Sequence, residues 1–181
     1  LKNNKNIGLI ILGIILLSLI IYAILKPEQE FSVIELDKKN VVVNRTSFPY
    51  LDTITHVGLS ELNIEGITIL IREIEKSKTI EDDYDVNAYV VATRGGGDTY
   101  LIFIKKGLTR LKAIDILSHE LVHIKQYDSK KLILVGDGYV TWKGGDVQDI
   151  GEIPYMDREW EKEAFSTSPI LRTKLSNKLY E

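Results

Sequence analysis

Between Thr109 and Tyr127 the hydrophobic pattern takes a period that a helix satisfies and a strand does not. Ile114, Leu117, Leu121 and Ile124 recur at three- and four-residue spacing, which predicts a helix with one apolar face. At about 100° per residue these four gather on one side, while His119 and His123 fall about 40° apart on the opposite side. The stretch "DILSHELVHIKQY" therefore has to bury its stripe against a core and turn its histidine face towards a cleft. Histidines on the stripe itself would read as core residues, and these two lie off it.

The segments before the helix supply something for it to lie on. In "GITILIREI", Ile67, Ile69 and Ile71 alternate with Thr68, Leu70 and Arg72, and "VNAYVVAT" and "DTYLIFIKK" are rich in β-branched and aromatic residues. All three read as strands, the last two joined at "RGGGD" by a hairpin turn. That glycine run lacks the lysine and hydroxyl residue of a phosphate-binding loop. Upstream, "SFPYLDTITHVGLSELN" carries Leu51, Ile54 and Val57 at near-helical spacing behind Pro49. Downstream, "KLILVGDGYVTWKGGD" reads as a second hairpin turning at Gly136-Asp137-Gly138. "MDREWEKEAF" reads as a helix opened by Asp157, a good N-cap type. The expected order is helix, three strands, helix, hairpin, helix, which is an α+β domain.

The N-terminus is of another kind. Ile7 to Leu25 carries no charge, and about 19 residues at 1.5 Å rise reach close to 30 Å, the thickness of a bilayer's hydrocarbon core. A cleaved signal peptide is the rival reading. Its apolar region is shorter and ends in a small-residue site that "YAILKPE" does not offer. The expectation is a single-pass membrane protein in which residues 1–26 form a tail and a transmembrane anchor set in the lipid bilayer. Residues 27–47 are then a tether and residues 48–181 the domain. The lysines flanking the apolar run do not decide the orientation. A short tail ahead of a large domain favours the domain on the extracytoplasmic side.

His119, Glu120 and His123 form H-E-x-x-H. Two neutral imidazoles one helical turn apart converge on one zinc ion, which takes a third protein ligand and keeps one position for water. The ion lowers the pKa of that water, and the carboxylate of Glu120 lies close enough to act as general base and then general acid. Composition removes other chemistries. There is no cysteine among the 181 residues, hence no thiolate nucleophile or cysteine zinc knuckle. The net charge of −3 comes without a basic run, which argues against nucleic acid as a partner.

On the motif helix, the preceding strands and "WEKEA", the stretch from Ile67 to Phe165 resembles the zincin metallopeptidases, in particular their glutamate-ligand branch, the gluzincins. The resemblance implies a small zincin-like domain with a peptide or protein substrate held as an extended chain along an edge strand beside the metal. "TYLIFIKKG" is the candidate for that strand. It also implies Zn2+ as cofactor, Glu120 as the catalytic base, and His119 and His123 as metal ligands. The third ligand is Glu161, three residues before Ala164 in the family's E-x-x-A pattern. The helical wheel alone leaves either Glu161 or the Glu159/Glu163 pair facing the ion; the family pattern selects Glu161. Where larger members carry an aspartate after the alanine, this chain has Phe165. A non-catalytic binding domain keeping the fold, or a zinc hydrolase of a non-peptide amide, are the alternative functions.

Other polar residues weigh less. His56, far upstream among apolar neighbours, reads as structural. Gln126 and Tyr127 lie near the histidine face, either supporting the ligands or solvated. One tyrosine is a candidate donor to the developing oxyanion, and the sequence does not select which.

Overall fold

A computed structural model describes residues 33–37, 40–75, 78–79, 85–93 and 98–179. The chain divides into Leu1–Phe31 and Ser32–Glu181, and the expected anchor lies outside the described residues. Among the described residues no helix is long and apolar enough to cross a membrane.

The domain is α+β; the described residues form three α-helices and sheets of five, three and two strands. Strands β1 (Val33–Asp37) and β2 (Asn40–Arg45) come first, then α1 (Leu51–Glu61), β3 (Thr68–Ile74) and the two-residue strands β4 (Lys78–Thr79) and β5 (Asp85–Val86). Strands β6 (Ala88–Ala92) and β7 (Thr99–Lys105) lead into α2 (Arg110–Asp128). Strands β8 (Leu132–Gly136), β9 (Tyr139–Trp142) and β10 (Val147–Asp149) follow, and α3 (Glu159–Lys178) closes the order.

The large sheet runs β1-β2-β3-β7-β6, with β2, β3 and β7 parallel and both outer strands antiparallel. Strict alternation decides which face is inside. Ile69 and Ile71 of β3 and Ile102 and Ile104 of β7 are fully buried in one cluster with Leu51 and Ile54 of α1 and Ile114, Leu117, Leu121 and Ile124 of α2. The helix crossing is close: a methyl group on Gly58 of α1 would meet the end of Leu121. Thr109 caps α2, its hydroxyl accepting from the Lys112 amide at 3.3 Å.

Four expectations need correction. The tether assigned to 27–47 contains β1 and β2, and β2 pairs in register with β3; a five-stranded sheet stands where three strands were read. The strand Thr99–Lys105 is internal, hydrogen-bonded on both sides, and the open edge beside α2 is β6. Both strands are apolar and alternating, so composition alone does not order them. Asp157 is not the N-cap of the last helix, because it ends a 3-10 turn from Tyr155. The extended residue before α3 is Arg158, which is buried and donates to the carbonyls of Ile150 and Ile153. Finally, α3 runs through Pro169 to Lys178, although proline in a helix interior removes a hydrogen bond. Burial of Leu171 and Leu175 against the main core holds the helix past that point.

The two hairpins form as read. β6 and β7 pair antiparallel, and β8 and β9 turn at Gly138, whose φ of +84° is open to glycine at little cost. Residues 94–97 of the first turn lie outside the described ones.

Candidate metal centre

Helix α2 carries His119, Glu120 and His123 on the face away from its apolar stripe, and His119 and Glu120 line a pocket there. Glu120 and His123 are buried, and His119 keeps 13% of its side chain exposed. The cover comes from β6 on one side and the first turn of α3 on the other. Trp160 and Ala164 anchor that turn, both buried. Glu161 lies about 100° round the wheel from Trp160 and about 60° from Ala164, at the margin of that buried face, where it meets the two imidazoles, with the positive end of α3 helping to hold a carboxylate in the first turn.

His119 Nε2 and His123 Nε2 lie 3.0 Å apart, and Glu161 Oε2 lies 3.1 Å from the first and 3.3 Å from the second. Among the described residues these three form a group whose donor atoms converge. Tetrahedral ligands at 2.0–2.1 Å from a zinc ion are separated by about 3.3 Å, so the triangle has the edge length that the ion's geometry asks for. Glu120 stands outside it, and Glu159 is exposed and paired with Lys162 at 3.0 Å.

The hydrogen bonds around His123 fix which nitrogen is free. Gln126 Nε2 is 2.9 Å from the Trp160 carbonyl oxygen and 3.1 Å from Glu163 Oε2, both pure acceptors, so the amide group donates there. Gln126 Oε1 then accepts, at 2.8 Å, from His123 Nδ1. With Nδ1 engaged as donor, the neutral form of the ring would present the lone pair of Nε2 to a bound cation. Glu163 is itself held by Lys131 at 2.8 Å. The sequence placed Gln126 and Glu163 near the site without separating support from solvation. The glutamine is buried, at 1% exposure, and has three partners.

Burial by itself lowers His123 and raises Glu161, but for Glu161 the hydrogen bonds and attraction of His119 and His123 outweigh it, and for His123 those of Glu161 do. His123 is lifted to about 9 and Glu161 is held well below the usual carboxylate range. Glu120 moves the other way: burial raises it, against the two histidines, and the Val90 amide of β6 donates to its carboxylate. Tyr155, in the 3-10 turn before α3, hydrogen-bonds Glu161 and is pushed far up, chiefly by burial and then by that carboxylate.

His119 lacks a partner like Gln126. Its ring lies 4.7 Å from that of Phe165, centroid to centroid, and Phe165 meets Tyr155 edge-on at 6.2 Å. An aromatic wall thus stands where the resemblance led one to look for a carboxylate. His56 is buried on α1 and takes no part in the triangle. Comparison with protein-family models, curated proteins and solved structures found no match to the chain.

Proposed function

We propose that the chain is a membrane-anchored zinc metallopeptidase of gluzincin type, with its domain on the extracytoplasmic side. His119, His123 and Glu161 hold the ion, and Glu120 is the general base and acid. The observation that carries this reading is the triangle of two imidazole nitrogens and one carboxylate oxygen with a second, separate carboxylate beside it. Zinc-edge geometry, a nitrogen lone pair fixed by Gln126, and a carboxylate held ionised all favour a cation there.

A zinc ion in this site supplies a water of lowered pKa and a positive charge beside a substrate carbonyl. The protein's own groups do the rest. Glu120 would hold the proton of a water as its oxygen adds to the carbonyl carbon, and would return it to the amine nitrogen as the C–N bond breaks. Its burial-raised pKa brings it nearer the working range in which one carboxyl both accepts and returns a proton. The Val90 amide holds Glu120 at the open edge of β6, where an extended peptide pairs by main-chain hydrogen bonds. Tyr155, raised chiefly by burial, hydrogen-bonds the Glu161 carboxylate and is the candidate donor for charge developing on the carbonyl oxygen.

An inert binding domain has no use for Glu120, since a purely structural zinc site usually has four protein ligands and no free carboxylate. The test is a broad library of internally quenched peptides incubated with the full chain, with and without a chelator. Chelator-sensitive cleavage is expected. A zinc-loaded chain that leaves every peptide intact contradicts the peptidase reading and favours hydrolysis of a non-peptide amide.

A further inference from the structure

The three-stranded sheet runs β10-β9-β8, so among the described residues the outer side of β8 is an open edge. Leu132 is buried, but Ile133, Leu134 and Val135 after it are 40%, 44% and 50% exposed. Three consecutive large apolar residues on an open edge, with neither charge nor proline among them, make a strand of the kind that domains ordinarily blunt against pairing. The charges stand at the two ends of the run. In "KLILVGD", Lys131 precedes it and Asp137 follows it, both exposed.

The ladder to β9 fixes which backbone groups face the open edge. The Lys143 amide donates to the Lys131 carbonyl at 2.6 Å, and Ile133 stands opposite Thr141 in the same register. Antiparallel pairing alternates, so the amide and carbonyl of Ile133 turn to β9 and those of Leu134 turn outwards. A strand added antiparallel has to meet outward groups with outward groups. For a second β8 related by a two-fold axis, the register centred on Leu134 does so. It sets Leu134 opposite Leu134, Ile133 opposite Val135 of the second copy, and Lys131 opposite Asp137 at both ends. The neighbouring registers that the alternation permits are two residues away and set Lys131 opposite Val135 or Tyr139. The charges therefore single out one register, in which the strand is complementary to itself. Lys131 also holds Glu163 at 2.8 Å, but 45% of its side chain is exposed, which leaves the ammonium open to a second carboxylate.

We propose that β8 is a contact between two copies of this chain, which join edge to edge with Leu134 on the two-fold axis and make one antiparallel sheet of two three-stranded halves. The irregularity between Leu134 and Gly136 keeps regular pairing to a few residues of each copy. The contact is therefore weak, and its charged ends decide whether it forms. Opposite charges facing across strands stabilise the pairing and like charges oppose it, so changing both ends from one to the other lowers association about tenfold.

The chain has no cysteine, so a single introduced thiol reports the register. Leu134→Cys puts two thiols across the axis at a hydrogen-bonded pair, with Cα atoms about 5.5 Å apart and within disulfide reach. In Ile133→Cys the two thiols are offset by two residues, about 8 Å apart at Cα and beyond that reach. Full-length protein is oxidised mildly and the cross-linked fraction is read on a non-reducing gel, with the fold of each variant checked by circular dichroism. Leu134→Cys is expected to cross-link and Ile133→Cys is not. Added to Leu134→Cys, either Asp137→Lys or Lys131→Glu sets like charges at both ends, and the cross-linked fraction should fall about tenfold. An equimolar mixture of those two variants restores opposite charges at both ends and should recover the cross-link. Equal cross-linking at positions 133 and 134 reports encounter of the chains without this pairing and overturns the proposal. No cross-link through Leu134→Cys, or a yield that ignores the charges, overturns it as well.

Discussion

Gln126→Ala removes one buried side chain and separates the ligand-orienting role of the glutamine from its packing role. Three hydrogen bonds disappear, at 2.8 Å to His123 Nδ1, 2.9 Å to the Trp160 carbonyl and 3.1 Å to Glu163. Glu163 keeps Lys131 and loses little. The other two groups are left in a buried space, and an unsatisfied buried group costs about 1–3 kcal/mol. Two of them give about 2–6 kcal/mol, with the lower half expected because the deleted amide leaves room for a bridging water. Zinc affinity, measured by competition with a calibrated chelator, should fall about 10- to 100-fold, the usual cost of losing a histidine's outer partner. Gln126→Glu is the control. Its carboxylate still accepts from His123 Nδ1 but cannot donate to the Trp160 carbonyl, and it faces Glu163. It should therefore bind zinc close to the parent while losing stability in urea. If Gln126→Ala binds zinc as tightly as the parent, the glutamine does not orient His123, and the tautomer drawn from its hydrogen bonds is wrong.

Glu120→Gln should retain zinc while peptide hydrolysis falls by about two to four orders of magnitude; loss of the metal or full activity would contradict the role of base. Glu161→Ala should lose zinc and activity, whereas Glu159→Ala, on an exposed residue paired with Lys162, should keep both, as measured by metal content after dialysis. Stability should also fall in alkali. Tyr100 and Tyr127 sit above the ordinary phenol value of 10.0, chiefly through burial and then through nearby carboxylates. A group raised in the folded state contributes fully below its unfolded pKa and loses that contribution as pH rises through the folded one. The urea midpoint should hold to about pH 10 and decline beyond it, with phenolate absorbance appearing only on unfolding; early phenolate absorbance in the native protein contradicts the burial of these rings.

The parts legible in the sequence are those in which a period records a buried face. The stripe on α2 and the alternation of Ile67, Ile69 and Ile71 lead directly to residues with almost no exposed surface. Strand order is not recorded that way, since β6 and β7 carry the same kind of residues and only pairing distinguishes edge from interior. Mixed charge in "KPEQEFSVIELDKKN" reads as a tether with room for a short strand at its end, where β1 lies at the edge of the sheet; β2, internal between β1 and β3, is too short a run of valines for the sequence to pair it. In the site, spacing marked His119, Glu120 and His123, and it placed Glu161 on one of two possible margins. The partners that orient them are set by tertiary contact. Gln126 reaches across to α3 and Phe165 leans on His119, and neither contact has a local sequence signature.

The most direct measurement is X-ray absorption at the zinc edge on full-length protein purified without added metal, read together with elemental analysis. The account predicts about one zinc per chain, bound by two imidazole nitrogens and by oxygen at about 2.0–2.1 Å, with the signal lost in Glu161→Ala and retained in Glu120→Gln. Protein that contains no zinc and takes up none on addition, or whose zinc site persists unchanged in Glu161→Ala, contradicts it.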